Sequence, residues 1–246
     1  MNVKGSKIEI PFLTTAQMRE VDRAMIEDYH IELVQMMENA GRHLAHLARR
    51  RFLAGDPRGR AVLVLAGSGG NGGGGLVCAR RLHNWGAQVF VVTTRPDDGY
   101  RGVPAHQLGI LRRMGVTVAG AKEITALPPA DLIVDAIIGY SLSGAPRGAA
   151  ASLIGWANEH GAPILSLDTP SGLDTATGRV YDPTVRATAT LTLALPKQGL
   201  RAPDAVDLVG ELYLADIGVP PGLYAGSGLG LAVGSIFARE EIIRLG

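Results

Sequence analysis

Ala61-Val62-Leu63-Val64-Leu65-Ala66-Gly67-Ser68-Gly69-Gly70-Asn71-Gly72-Gly73-Gly74-Gly75 runs an unbroken apolar stretch directly into a glycine-rich turn. Six apolar residues with no polar alternation are the mark of a strand covered on both faces, as in a parallel sheet. The helix expected after the turn spans about Gly74 to Trp85. Downstream the pattern repeats, with a strand at Gln88–Thr93, a helix near Ala105–Met114, strands at Val116–Val118 and Leu132–Ile138, a helix at Ala149–His160 and a strand at Pro163–Leu167. Alternating strands and helices imply right-handed crossovers and an α/β three-layer αβα sandwich around a mainly parallel sheet. Ala187–Leu195 and Leu208–Leu214 have little helix between them and read as extra C-terminal edge strands of a mixed sheet. Upstream, Thr14-Thr15-Ala16-Gln17 is a capping box opening a helix to about Tyr29. A second helix carries Leu33, Met36, Met37, Ala40, Leu44 and Leu47 on one stripe, and Arg49, Arg50 and Arg51 form its solvated basic end.

Composition narrows the function classes. The 246 residues are 46% apolar and 19% charged, which excludes a disordered chain. No linker or repeat divides them, so the expectation is one domain, with a core over 12–220 and a C-terminal extension over 221–246. A net charge of +1 offers no broad field for nucleic acid or a membrane surface. The single Cys78 excludes an internal disulfide and fits a reducing cytoplasm. Met1–Leu13 lacks a signal-peptide core. The most apolar stretch, Val219–Ala238, is broken by glycines and prolines, so no membrane span is expected.

The glycine turn holds G-x-G-x-x-G at Gly67, Gly69 and Gly72, between strand and helix, where glycines let backbone amides approach an anion. The second strand ends in Thr93-Thr94-Arg95 rather than an acid. Arg95 suits a 2′-phosphate, which keeps an NADP dehydrogenase as a competing reading. No Walker lysine follows, so P-loop hydrolysis is excluded. Two carboxylates end apolar strands on the same sheet edge: Asp135 in Leu132-Ile133-Val134-Asp135-Ala136-Ile137-Ile138-Gly139, and Asp168 in Leu165-Ser166-Leu167-Asp168-Thr169-Pro170-Ser171-Gly172. A charge in such company must be paired, hydrogen-bonded or bound to a cation. Converging oxygens of Asn71, Asp135 and Ser171 would make a hard-cation site better suited to a monovalent ion than to Mg2+. Gly139-Tyr140-Ser141-Leu142-Ser143-Gly144 is a glycine-bounded loop able to close over a ligand. The six histidines lack zinc spacing, there is no G-x-S-x-G elbow, and Cys78 and His83, five apart on one helix, read as packing or surface residues rather than a catalytic pair.

These residues also carry a resemblance. Ala16-Gln17-Met18 with Asp22, Met37-Glu38-Asn39-Ala40-Gly41, the glycine turn into Gly75-Leu76-Val77, Asp135-Ala136-Ile137-Ile138-Gly139, Asp168-Thr169-Pro170-Ser171-Gly172-Leu173-Asp174, Pro196-Lys197-Gln198-Gly199-Leu200 and Asp216-Ile217-Gly218-Val219-Pro220 occur in that order. The chain resembles the YjeF N-terminal domain family, whose best-known members are NAD(P)H-hydrate epimerases. The resemblance implies a Rossmann-like fold and an isomerase that interconverts the R and S epimers of hydrated NADH or NADPH. It also implies a potassium ion on Asn71, Asp135 and Ser171, a homodimer, and a dehydratase on a separate chain. By the same resemblance the hydrate contacts Gly70, Asn71, Gly72, Gly73 and Gly74, the loop Gly139, Tyr140, Ser141, Leu142, Ser143, Gly144 and Ala145, and Asp168. Asp168 is the first candidate to exchange a proton with the departing and entering oxygen. Lys197 is the second candidate, its alternative being a surface or phosphate-binding lysine. The family turn reads G-x-G-N-N-G-G-D-G, whereas this chain has Gly70 for the first Asn and Gly74 for the Asp. Losing that carboxylate keeps open a non-catalytic ligand-binding or assembly module, and the added glycines predict a looser turn.

Overall fold

The computed structural model describes residues 10–226 and 228–245, so the first nine residues of the stretch read for a leader lie outside it. Helix α1 (Thr15–Glu27) opens with the expected capping box: Gln17 N donates to Thr14 Oγ1 (3.1 Å) and Thr14 N to Gln17 Oε1 (2.9 Å). Helix α2 (Leu33–Leu47) continues through one π-helical turn at Ala48–Phe52, where Arg49 lies over the Trp85 ring and Arg51 pairs with Glu211 at 2.8 Å. Next come β1 (Ala61–Ala66), α3 (Gly70–Asn84), β2 (Gln88–Thr93), α4 (Gly102–Arg113), β3 (Thr117–Gly120), β4 (Leu132–Ala136), α5 (Gly148–Glu159) and β5 (Ile164–Leu167). The chain ends with β6 (Ala189–Leu193), the short α6 (Val206–Val209), β7 (Glu211–Ala215), the short α7 (Pro221–Ala225) and β8 (Ile242–Leu245).

The sheet order is β3-β2-β1-β4-β5-β6-β7-β8, parallel throughout except for the antiparallel β7–β8 pair. Strand alternation divides the core. Val62, Val64, Ala66, Leu132 and Val134 join the cluster of α2, α3 and α4, whereas Leu63, Leu65 and Ile133 join that of α5. These are the two helical layers of the sandwich. The chain turns outward from β1 in both directions, so the loops after β1 and β4 diverge and leave a crevice at their carboxyl ends.

Three expectations are corrected. First, β6 is an interior strand rather than an edge strand. Its Thr190 and Thr192 are fully buried because their hydroxyls have partners: Thr190 donates to Val209 O (2.8 Å), and Thr192 accepts from Lys197 (3.3 Å). Second, the outer strand is β8, from the C-terminal extension. That segment also buries Leu223, Tyr224 and Val233 against Met18, Val21 and Met25 of α1. Third, the glycine stretch is not a loose loop. Helix α3 begins at Gly70, and Gly72 to Gly75 are buried in its first turns. Side chains there would collide: a Cβ on Gly75 would stand 2.4 Å from Ala136 Cβ, and one on Gly73 2.4 Å from Met37 Sδ. The glycines draw α3 against β4 and α2. Among the described residues, no helix is long and apolar enough to cross a membrane.

Candidate active site

Asp135 stands opposite Ser166 in the β4–β5 register and is fully buried. Its Oδ2 accepts from Ser166 Oγ (2.8 Å) and Ser171 N (2.9 Å), and its Oδ1 from Ser171 Oγ (2.6 Å) and Ile137 N (3.2 Å). Burial pushes this carboxyl above its usual range, against the pull of those four donors. Asn71, in the first turn of α3, lies against Gly139 in the loop after β4, and its buried Nδ2 has no partner among the described residues. The structure therefore brings Asp135 and Ser171 together, while Asn71 approaches the adjoining turn without bonding to them.

The second carboxylate is built differently. Asp168, one residue past β5, has φ +68°, a left-handed geometry that Asp tolerates better than most residues. Its Oδ2 accepts from Tyr140 N (3.1 Å), and its Oδ1 accepts from the ammonium of Lys197. Lys197 is wholly buried, which removes the reading of it as a surface lysine. Its other acceptors are Leu193 O (2.9 Å) and Thr192 Oγ1 (3.3 Å), so the three ammonium protons face three acceptors. A buried ion pair persists only with such complete hydrogen bonding, and more often marks a site than a stabilising device.

Asp168, Lys197, Tyr140 and Asp22 line a cavity of about 410 Å3 at the carboxyl ends of β4 and β5, with apolar walls from residues such as Met37 and Leu167. Its size and mixed lining suit a small molecule. Tyr140 spans it: its hydroxyl donates to Asp22 of α1, its carbonyl accepts from Thr175 Oγ1 (3.1 Å), and its ring centre lies 5.9 Å from Lys197 Nζ. Burial raises the Asp22 carboxyl above the ordinary value, only partly offset by the Tyr140 hydrogen bond.

Of the residues named from the sequence, Gly70, Asn71, Gly74, Gly139, Tyr140, Ser141, Asp168 and Lys197 form cavity wall. Gly72 and Gly73 serve helix packing instead, Asp135 and Ser171 lie buried behind the wall, and Leu142, Ser143, Gly144 and Ala145 are not part of the lining. Sequence reasoning gave Asp22 no role. Its signal was an acid three residues before Met25 and four after Met18, on the buried stripe of α1. The Met37-Glu38-Asn39-Ala40-Gly41 segment also gains a physical account. Glu38 takes Arg80, Arg81 and Gln107, Asn39 donates to Ile217 O (3.2 Å), and Gly41 admits Val77 of α3.

Oxygen donors around Asp135 comprise its own carboxylate, the hydroxyls of Ser166 and Ser171 and the nearby Asn71 carboxamide. Among the described residues, no three His, Cys, Asp or Glu side chains gather as ligands. One negative charge with neutral oxygens fits a monovalent cation.

Fold and site together define a doubly wound α/β protein with its cavity at the strand-order switch point and a buried acid–base pair in the cavity wall. The chain belongs to the family described as YjeF-related protein N-terminus, whose model matches residues 33–199. It is 46% identical over 222 residues to a protein of Dehalogenimonas lykanthroporepellens named NAD(P)H-hydrate epimerase, covering 88% of this chain and 86% of that one. It is 40% identical over 221 residues to the bifunctional NAD(P)H-hydrate repair enzyme Nnr of Moorella thermoacetica, covering 87% of this chain but 41% of the relative's length. The crystal structure of the yeast protein YNL200c superposes with a TM-score of 0.80 at 24% identity, covering 96% of this chain and all of that one, which shows the fold.

Proposed function

We propose that the protein is an NAD(P)H-hydrate epimerase, an isomerase that interconverts the R and S hydrates of NADH and NADPH. The observation that carries this reading is the Asp168–Lys197 pair, buried in the wall of a cavity that fits a hydrated nicotinamide ring. The relatives named as epimerases support it. At the inverted carbon, the ring-nitrogen lone pair expels the hydroxyl; the C–O electron pair leaves with the oxygen, which takes a proton and departs as water. Water then adds to the other face of the iminium carbon and gives up a proton. Asp168 exchanges these protons, with its carboxylate fixed by Lys197 on one oxygen and the Tyr140 amide on the other. The buried carboxylate also opposes the positive charge that develops on the ring.

A potassium ion would be held by Asp135, Ser171 and Asn71, where it would supply positive charge behind the cavity wall. The physiological setting completes the reading: a homodimer in the cytoplasm, with its product passed to a stereospecific dehydratase. A second reading, a binding module without catalysis, rests on Gly74, where the family pattern has Asp. A Cβ there would meet only the end of the Leu167 side chain (2.7 Å) closely, so Gly74→Asp requires that side chain to shift and tests that reading directly.

The experiment supplies the R epimer of NADPH hydrate with excess S-specific dehydratase and ATP in potassium buffer and follows NADPH absorbance. Recovery faster than spontaneous epimerisation, lost in Asp168→Ala, is expected. Recovery no faster than the blank would overturn the reading.

A further inference from the structure

Inversion at a ring carbon makes a geometric demand that one fixed carboxylate does not meet. The hydroxyl leaves from one face of the ring and water enters from the other, so protons change hands on two opposite sides. Asp168 is held to one side, because Lys197 and the Tyr140 amide take both of its oxygens. Asp22 is the other acid in the cavity wall, brought there by α1 rather than by the sheet. Tyr140 joins the two: its amide donates to Asp168 and its hydroxyl to Asp22, so the acids stand at opposite ends of one tyrosine. The other oxygen of Asp22 has no hydrogen bond among the described residues, and no ammonium or guanidinium forms an ion pair with it there, in contrast to Asp168. Burial holds the Asp22 carboxyl above the ordinary range, so it keeps a proton more readily than an exposed aspartate. Two carboxyl groups in such unlike surroundings divide naturally into an acid and a base.

We propose that Asp22 is a second catalytic acid–base group, serving the ring face opposite the one served by Asp168, with Tyr140 as the positioning residue that holds it. The proposal rests on the epimerase reading and divides the proton exchange between two acids. For one epimer, the Asp22 carboxyl gives its proton to the hydroxyl; the C–O bond breaks with its electron pair on oxygen, water leaves, and the nitrogen lone pair closes the iminium bond. Water then attacks the opposite face, the iminium pair returns to nitrogen, and the Asp168 carboxylate takes the surplus proton. The other epimer runs the same steps with the roles reversed, which returns the proton to Asp22.

The test uses the full chain in water enriched in oxygen-18, with each epimer of NADPH hydrate supplied separately. Chromatography follows inversion, and mass spectrometry follows entry of the label into the hydroxyl of each epimer, both corrected for the spontaneous rate. Asp22→Asn keeps the size of the side chain and an acceptor for the Tyr140 hydroxyl. It is expected to slow inversion by ~100-fold or more, as loss of a general acid–base group does. Asp168 can still expel water and readmit it on its own face, so one epimer should go on exchanging its hydroxyl without inverting, while the other does neither. Folded Asp168→Asn should leave exchange in the opposite epimer. The proposal is overturned if Asp22→Asn inverts at the wild-type rate, if it loses exchange in both epimers alike, as a purely structural role would produce, or if it keeps exchange in both, which would mean that Asp168 reaches both faces. Exchange kept in the same epimer by both variants also overturns it. Wild-type protein that neither inverts nor exchanges above the blank overturns the epimerase reading and the proposal with it, whereas an active wild type with any of the other patterns strikes the role of Asp22 alone.

Discussion

Lys197 and Asp168, 29 residues apart in sequence and both buried, meet as an ion pair at the carboxyl end of the sheet. Lys197 arrives from the loop after β6 and Asp168 from the left-handed turn after β5. Removing one partner strands a buried charge, at about 3–5 kcal/mol. Lys197→Gln and Asp168→Asn are each expected to destabilise the fold by that order, while the double variant loses less than the sum. Urea denaturation through the double-mutant cycle measures this. Strictly additive losses would mean that the two groups do not act as a pair.

Two helix glycines should respond oppositely to alanine. A Cβ on Gly41 would lie 2.4 Å from Val77 Cβ and 2.5 Å from the backbone oxygen of Gly74, so Gly41→Ala forces α2 from α3 and should cost ~1–3 kcal/mol. Gly155 in α5 has nothing within 4 Å of that position, and Gly155→Ala should stabilise by ~0.5–1 kcal/mol through helix propensity alone. Thermal melts of the two variants settle the comparison. A Gly41→Ala protein as stable as wild type would contradict the close α2–α3 approach.

His43 of α2 is almost wholly buried, and burial, aided by the charge of Arg42, pushes its pKa down to about 4 from an ordinary 6.5. Between those values the unfolded chain binds a proton that the folded chain does not, so stability rises with pH across the window. Lowering the pH from 6.5 towards 4 should therefore erode stability progressively, and His43→Gln should flatten that part of the profile. Denaturation midpoints from pH 4.5 to 7.5 test it; an equal slope in the variant would assign the loss to other groups.

If a monovalent cation occupies the oxygen cluster, potassium chloride should raise the melting temperature above that in tetramethylammonium chloride at equal ionic strength. Asp135→Asn and the milder Asn71→Ala should each reduce that difference. A wild-type protein indifferent to the cation would remove the site from consideration.

The Gly74→Asp substitution places a carboxylate in the cavity beside Leu167. The expected outcome is a folded protein with faster epimerisation, since a further negative group faces the cationic ring in the transition state. The coupled repair assay reads it directly, and no gain would show that the remaining residues already suffice or that the site lacks competence. Wild-type activity separates those two outcomes.

Local physics made much of this protein legible without coordinates. The apolar runs of β1 and β2 are found at their expected bounds because a strand buried on both faces must be continuously apolar. The capping box of α1 is a four-residue device that needs no tertiary context, and Asp135 and Asp168 stood out because a lone charge in an apolar strand demands a partner. Pairing and packing were decided by the tertiary structure alone. Which donors satisfy each carboxylate depends on sheet register and on loops tens of residues away, so Lys197 read as an open choice and Asp22 received no role. The glycine run had two local readings, a flexible loop or a tightly packed helix start, because glycine serves both. Only the nearness of Met37, Ala136 and Leu167 selects the second, since a glycine's role is set by what would occupy the space its missing side chain leaves.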